Sequence, residues 1–187
     1  MFKVPVEISA RHLHISREDL DELFGKNYSL RKKKDLTQPG EFSAEERVAV
    51  QNGKNKIDNV RIIGPLRKKT QLELSATDAF NLGLEAPYCY SGNAKGLGIV
   101  IIGKKGRLKM NSGVMVPLRH LHISGENAKK MHLKNGKKVS IRVQGERSVV
   151  FENVLVRVGK NYVTSFHLDT DEGNAAGIEF KGEGYLI

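Results

Sequence analysis

A chain of 187 residues with 39% hydrophobic residues can bury a core as one large domain or two small ones. No run approaches the roughly 18 apolar residues of a membrane span, the N-terminus lacks the apolar centre of a secretory signal, and a single cysteine, Cys89, excludes a disulfide framework or a cysteine-rich zinc module. These absences favour the cytoplasm, while a formal charge of +10, from 31 Lys and Arg against 21 Asp and Glu, is compatible with an anionic partner such as nucleic acid or a phosphate-rich small molecule and equally with solvated basic faces at runs such as 31–34 and 67–69, so charge alone decides nothing.

In chain order, an apolar, strand-like N-terminal stretch leads into Arg11-His12-Leu13-His14-Ile15-Ser16. Ser16 has an acid, Asp19, three residues on and precedes Leu20, Leu23 and Phe24, which predicts a short capped helix. Residues 26–45 are polar and irregular, with a turn at Gln38-Pro39-Gly40, and read as an excursion from the main sheet. Residues 48–50 and 60–63 are strands around a hairpin turn at 51–54. Gly64-Pro65-Leu66 then turns the chain and puts Arg67 at a strand end. Residues 71–74 alternate as a strand carrying Glu73, and 77–82 form a turn or two of helix. Strands follow at 99–102 and 114–116, with a turn at 103–106.

The hexapeptide then recurs without a change as Arg119-His120-Leu121-His122-Ile123-Ser124, again before a Ser-capped helix, here running through Met131. Strands at 139–143, 149–151 and 154–158 come next, then His167 in a strand-like setting and a short helix at 171–176. Many short strands at this spacing predict small barrels or sandwiches. The repeat argues for one structural unit used twice.

Residues two apart on a strand share a face. His12 and His14 therefore point together, as do His120 and His122, with Leu13 and Leu121 facing a core. A His-x-His pair can bind one ion through two imidazoles. Catalytic zinc normally takes a third protein ligand, and the candidates are His132, His167 and several acids, Glu73 among them. His132 ends a basic helical segment and suits solvent, and a lone strand carboxylate such as Glu73 commonly sits on a wet face. Arg67 offers a planar fork for phosphate or carboxylate, or a surface ion pair.

Read together, residues 9–14, 64–73, 119–122 and 167–175 resemble the PduL family, the phosphate propanoyltransferases, and the likeness extends from Val4 to Gly177. The resemblance implies a mainly β fold of two small β-barrels capped by short α-helices. One barrel combines residues 1–10 with 118–187, and the other uses 11–117, with the polar excursion at about 25–45. It implies a dinuclear zinc site, two ions per chain, held by His12, His14 and Glu73 and by His120, His122 and His167. Arg67 matches the phosphate-binding arginine, and Arg157 a second basic contact. Ser91 matches a serine near the reacting centre. Coenzyme A contacts map to Ile8, Ser9, Ala10, Lys54, Arg61 and Asn174, and Phe80 to the ring stacked on adenine.

The implied reaction moves a short acyl group, propanoyl or acetyl, reversibly between coenzyme A and phosphate, in a homodimer with no nucleic-acid or membrane partner. Cys89 has no part in it. Family members packaged in bacterial microcompartments carry an N-terminal extension. Here the first motif begins at Val4, so a free cytoplasmic enzyme is expected. Two other readings compete. The same ligands could activate water in a metal-dependent hydrolase of thioesters or phosphate esters. A basic β-barrel could bind nucleic acid, but 6% aromatics, no Trp and no aromatic-basic stripe weigh against it.

Overall fold

The computed structural model describes residues 2–187. The strands are β1 (Phe2–Ile8), β2 (His12–His14), β3 (Lys32–Asp35), β4 (Phe42–Asn52), β5 (Asn55–Gly64), β6 (Gln71–Glu73), β7 (Tyr88–Cys89), β8 (Ile99–Ile102), β9 (Arg107–Met110), β10 (Val114–Pro117), β11 (His120–Ser124), β12 (Lys138–Val143), β13 (Val149–Gly159), β14 (Ser165–Leu168) and β15 (Lys181–Leu186). Four short helices interleave with them: α1 (Arg17–Phe24), α2 (Ala76–Asn81), α3 (Gly125–Lys130) and α4 (Thr170–Ala175). The protein is mainly β, as the sequence predicts. Among the described residues no helix is long and apolar enough to cross a membrane.

The chain divides into two compact units, one formed by residues up to Ala10 together with Leu118–Ile187, the other by Arg11–Pro117. In the first unit six strands close a barrel in the order β1-β14-β11-β13-β12-β15. Its core packs Val4, Val6, Leu121, Ile141, Val156 and Phe166, all fully buried. In the second, the strands run β7-β10-β6-β2-β5-β4-β8-β9, with β3 on β4, as a half-barrel sheet. Leu13, Leu20, Ile62, Leu72 and Ile101 fill its core. Burying one such side chain contributes roughly 1.5–3 kcal/mol.

Two sequence expectations need correction. Residues 26–45 are not wholly irregular, because β3 pairs antiparallel with the start of β4. The anchor is Glu46, buried on β4, which accepts hydrogen bonds from the Tyr28 hydroxyl at 2.9 Å and the Arg31 backbone N–H at 3.1 Å. Burial of a carboxylate is tolerable only with such donors. The strands expected at 149–151 and 154–158 are one strand, β13. Against β12, three steps along β13 match two steps of its partner, and Asn153 lies there with φ 57°. That is a β-bulge, in which the extra residue bends the strand without ending it, and Asn tolerates the left-handed backbone.

Candidate metal centres

Each hexapeptide strand is the middle strand of the same local arrangement. β2 pairs in parallel with β5 and antiparallel with β6, setting His12 opposite Glu73, Leu13 opposite Leu72 and His14 opposite Gln71. β11 pairs in parallel with β13 and antiparallel with β14, setting His120 opposite His167, Leu121 opposite Phe166 and His122 opposite Ser165. The leucines enter the two cores. The alternation of a strand delivers the three polar groups to one face in each case.

In the second unit the His12 and His14 Nε2 atoms lie 3.2 Å apart, and the Glu73 carboxylate oxygens lie 3.6 Å from His12 Nε2 and 3.9 Å from His14 Nε2. Ligands bonded at about 2.0–2.2 Å in a tetrahedral zinc site have separations of this order. All three residues are buried. In the first unit the ligand atoms of His120, His122 and His167 lie within 4.8 Å of one another.

The donor set fits a metal. Burial and the neighbouring His12 hold His14 down at about 3, and burial with His120 holds His122 down at about 2, so both rings are neutral at pH 7, the form that can ligate a metal. Both His122 ring nitrogens are buried without a hydrogen-bond partner, and an ion would relieve that cost at one of them. His120 Nδ1 lies 2.8 Å from the Leu118 carbonyl oxygen; a proton donated there leaves Nε2 free to ligate.

Several residues that orient these candidate ligands are invisible to periodicity. Gln71 Nε2 donates to Glu73 Oε1 at 2.6 Å, and Ser91 Oγ donates to the same oxygen at 2.8 Å. The Gly92 N–H, in turn, donates to Gln71 Oε1 at 2.5 Å, so the 91–92 turn is built onto the ligand. In the other unit Glu7 stands opposite His167 in register, its Oε2 3.5 Å from His167 Nε2, and Lys181 lies 3.3 Å away on its far side. Tyr162 stacks on His122 with ring centroids 4.4 Å apart.

Arg67 follows the Gly64-Pro65-Leu66 turn, and its backbone N–H donates to the Ile15 carbonyl at 2.9 Å, just past β2. Its guanidinium reaches Ser91 Oγ at 3.4 Å and Glu41 at 2.9 Å, and its charge helps disfavour protonation of His14. Arg61 lies opposite His12 in register and donates to the Ala44 carbonyl at 3.0 Å. Arg157 lies opposite His122 and also opposes its protonation. Lys54 is exposed in the β4–β5 turn, and Phe80 on α2 is 82% exposed. Ile8, at the end of β1, packs against Gly173 of α4, next to exposed Asn174. Ser9 donates to the Leu168 carbonyl at 2.8 Å, and Ala10 is exposed at the unit's edge. His132 follows α3 with φ 53° and belongs to neither triad. Burial raises the Cys89 thiol, and its sulfur faces Met115 Sδ at 3.8 Å, the setting of an inert cysteine.

Comparison with known proteins agrees across the chain. The family model for phosphate propanoyltransferases matches residues 5–179. The phosphate propanoyltransferase of Thermotoga maritima is 46% identical over 184 residues, which cover 97% of this chain and 88% of that protein. Those of Lachnoclostridium phytofermentans and Clostridioides difficile are 46% and 43% identical, over 95% and 93% of this chain and 84% of each relative.

Proposed function

The chain belongs to the phosphate propanoyltransferase family and is an acyltransferase, and on that premise we propose that it moves a short acyl group, propanoyl or acetyl, reversibly between coenzyme A and inorganic phosphate. One observation carries the reading: the Arg67 fork stands beside a ready-made ligand triad, linked to Glu73 through the Ser91 hydroxyl. In the forward direction a phosphate oxygen attacks the thioester carbonyl carbon, the carbon–sulfur bond breaks, and coenzyme A leaves as the thiolate. Arg67 presents parallel N–H donors to the incoming phosphate, exchanging its Glu41 partner for a second anion. Glu73, held by Gln71 and Ser91, keeps its position while the reactants exchange. The neutral His14 and His122 carry no positive charge that would repel a cation. When bound, zinc on three protein ligands supplies Lewis acidity and an open position that suits a soft thiolate. The triads are assigned one zinc each, two per chain, both required for turnover.

Coenzyme A is assigned contacts at Ile8, Ser9, Ala10, Lys54, Arg61, Phe80, Arg157 and Asn174, which the family resemblance carries over. The exposed Lys54 ammonium and the exposed Phe80 ring suit the coenzyme's phosphates and its adenine. The homodimer assigned by the resemblance is tested by sedimentation.

The deciding experiment follows acetyl-, propanoyl- and butanoyl-coenzyme A with and without phosphate. Consumption that requires phosphate and yields acyl phosphate one for one supports the transferase. Consumption independent of phosphate makes the protein a hydrolase instead.

A further inference from the structure

The duplicated hexapeptide begins with an arginine that no ligand role explains. Arg11 NH1 pairs with Asp78 Oδ1 at 2.9 Å, and Arg119 Nε pairs with Glu172 Oε1 at 2.7 Å. The two acids occupy equivalent places. Glu73 is the third ligand of its triad, Ser75 is the N-cap two residues on, and Asp78 is the third residue of α2. His167 is the third ligand of the other triad, Asp169 is the N-cap two residues on, and Glu172 is the third residue of α4. Each arginine therefore joins the residue just before the first ligand to the first turn of the helix just after the third.

Both acids are tied to their helix starts. The Asp78 N–H donates to Ser75 Oγ at 3.2 Å, and Asp169 and Glu172 form a reciprocal capping box. The Arg119 guanidinium also lies over the Phe151 ring, 5.3 Å from its centroid. Its orientation is fixed by a carboxylate at one edge and by an aromatic face.

We propose that Arg11 and Arg119 are positioning residues for the two triads, each clamping its third ligand, Glu73 or His167, against the His-x-His strand through the helix that follows. The inference rests on the metal-binding reading above. Two ligands on alternate positions of one strand are fixed on one face by the strand itself. The third arrives on a different strand, whose next structural event is a helix cap, so rotation of that helix would swing the ligand out of reach. Ligand-orienting groups of this kind typically carry 10–100-fold in metal affinity.

The test titrates chelator-stripped protein with zinc in competition with a chromophoric chelator, for the wild type, R119M, E172Q, the double variant R119M/E172Q, and the pair R11M and D78N. The wild type must bind two equivalents; if it binds none, the metal reading fails and the clamp has no object. Given two wild-type sites, R119M and E172Q are expected to weaken one site roughly 10–100-fold while the other keeps its affinity. The double variant should be no weaker than either single one, because both act through one contact. R11M and D78N should weaken the other site and spare the first. Undiminished affinity at both sites in R119M and R11M overturns the proposal. So does a raised KM for phosphate or acyl-coenzyme A with metal affinity intact, which would make the arginines substrate contacts. If R119M does not fold, E172Q decides the same question in the same titration.

Discussion

Arg67 tests the mechanism at the scale of one residue. It belongs to neither triad, so replacing it should leave both sites loaded while removing charge stabilisation from the reacting phosphate. R67A is expected to lower kcat/KM for acyl phosphate formation by about 10²–10³-fold with zinc content unchanged, the usual effect of losing one preorganised donor. R67K should fall between, since an ammonium keeps the charge but loses the fork. Steady-state kinetics on protein of assayed metal content gives both numbers, and near-normal activity of R67A would remove this residue from the chemistry. Gln71 is the complementary case. Q71L strips Glu73 Oε1 of a 2.6 Å donor and frees the Gly92 N–H, so zinc affinity at that triad should drop about 10–100-fold. For Arg67 the sequence shows a guanidinium at a strand end but leaves a phosphate fork and a surface ion pair open, and only the family resemblance points to phosphate. Gln71 and Glu7 were not legible in the sequence, because their roles come from strand register, and register needs the partner strand.

Elements were legible where local chemistry sets them. All four helices start on a side-chain cap: Ser16, Ser75, Ser124 and Asp169 each accept the N–H of the third helical residue. The caps at Ser16 and Ser124 stand in the hexapeptide itself. What local chemistry does not show is where an element docks. The 103–106 turn is readable as a hairpin turn, yet it also terminates α1. The Lys105 N–H donates to the Leu23 carbonyl at 2.9 Å, and a Cβ on Gly106 would run into the Glu22 carbonyl oxygen. G106A should therefore destabilise the protein by about 1–3 kcal/mol, the range for overpacking against a structure that must shift. The obstacle is backbone, so no rotamer change relieves it. Urea denaturation of G106A beside the wild type measures this, and an unchanged midpoint would mean that the turn moves away from α1 at no cost. The bulge at Asn153 belongs to the same class: a break in the apolar pattern at 152–153 looks like a strand boundary until the partner strand shows two residues opposite one.

For the whole molecule, the repeat made a duplicated unit legible, but not its inequality. The same motif sits in a closed barrel in one unit and in a half-barrel in the other, completed by His167 in the first and Glu73 in the second. Both units share one consequence, a buried neutral histidine whose protonation the fold opposes. His14 stands at about 3 and His122 at about 2, against an ordinary value of 6.5. Between pH 6.5 and about 3 the unfolded chain binds protons at these two positions that the folded chain refuses. The contribution of these two groups to stability therefore falls as pH drops through that window and is unchanged above it. The slope is at most about 1.4 kcal/mol per pH unit for each histidine. Chelator-stripped protein unfolded in urea at pH 7.5, 6.5, 5.5 and 5.0 should show the loss begin near 6.5. Replacing His122 by Leu should flatten the lower part of the curve, because a side chain that cannot take a proton cannot favour the unfolded state. Zinc held in hundredfold excess over its Kd should add about 2.7 kcal/mol per site at pH 7.5. That protection should shrink at the acid end, since protons and metal compete for the same imidazoles. Because burial raises Glu172 to about 7, that carboxyl takes a proton on folding over the same range and offsets part of the loss from the histidines. The wild-type curve is therefore read against that of H122L. Two curves running parallel from pH 7.5 to 5.0 would show that His122 is not held neutral by burial, and the case for it as a preformed neutral ligand would fall with it.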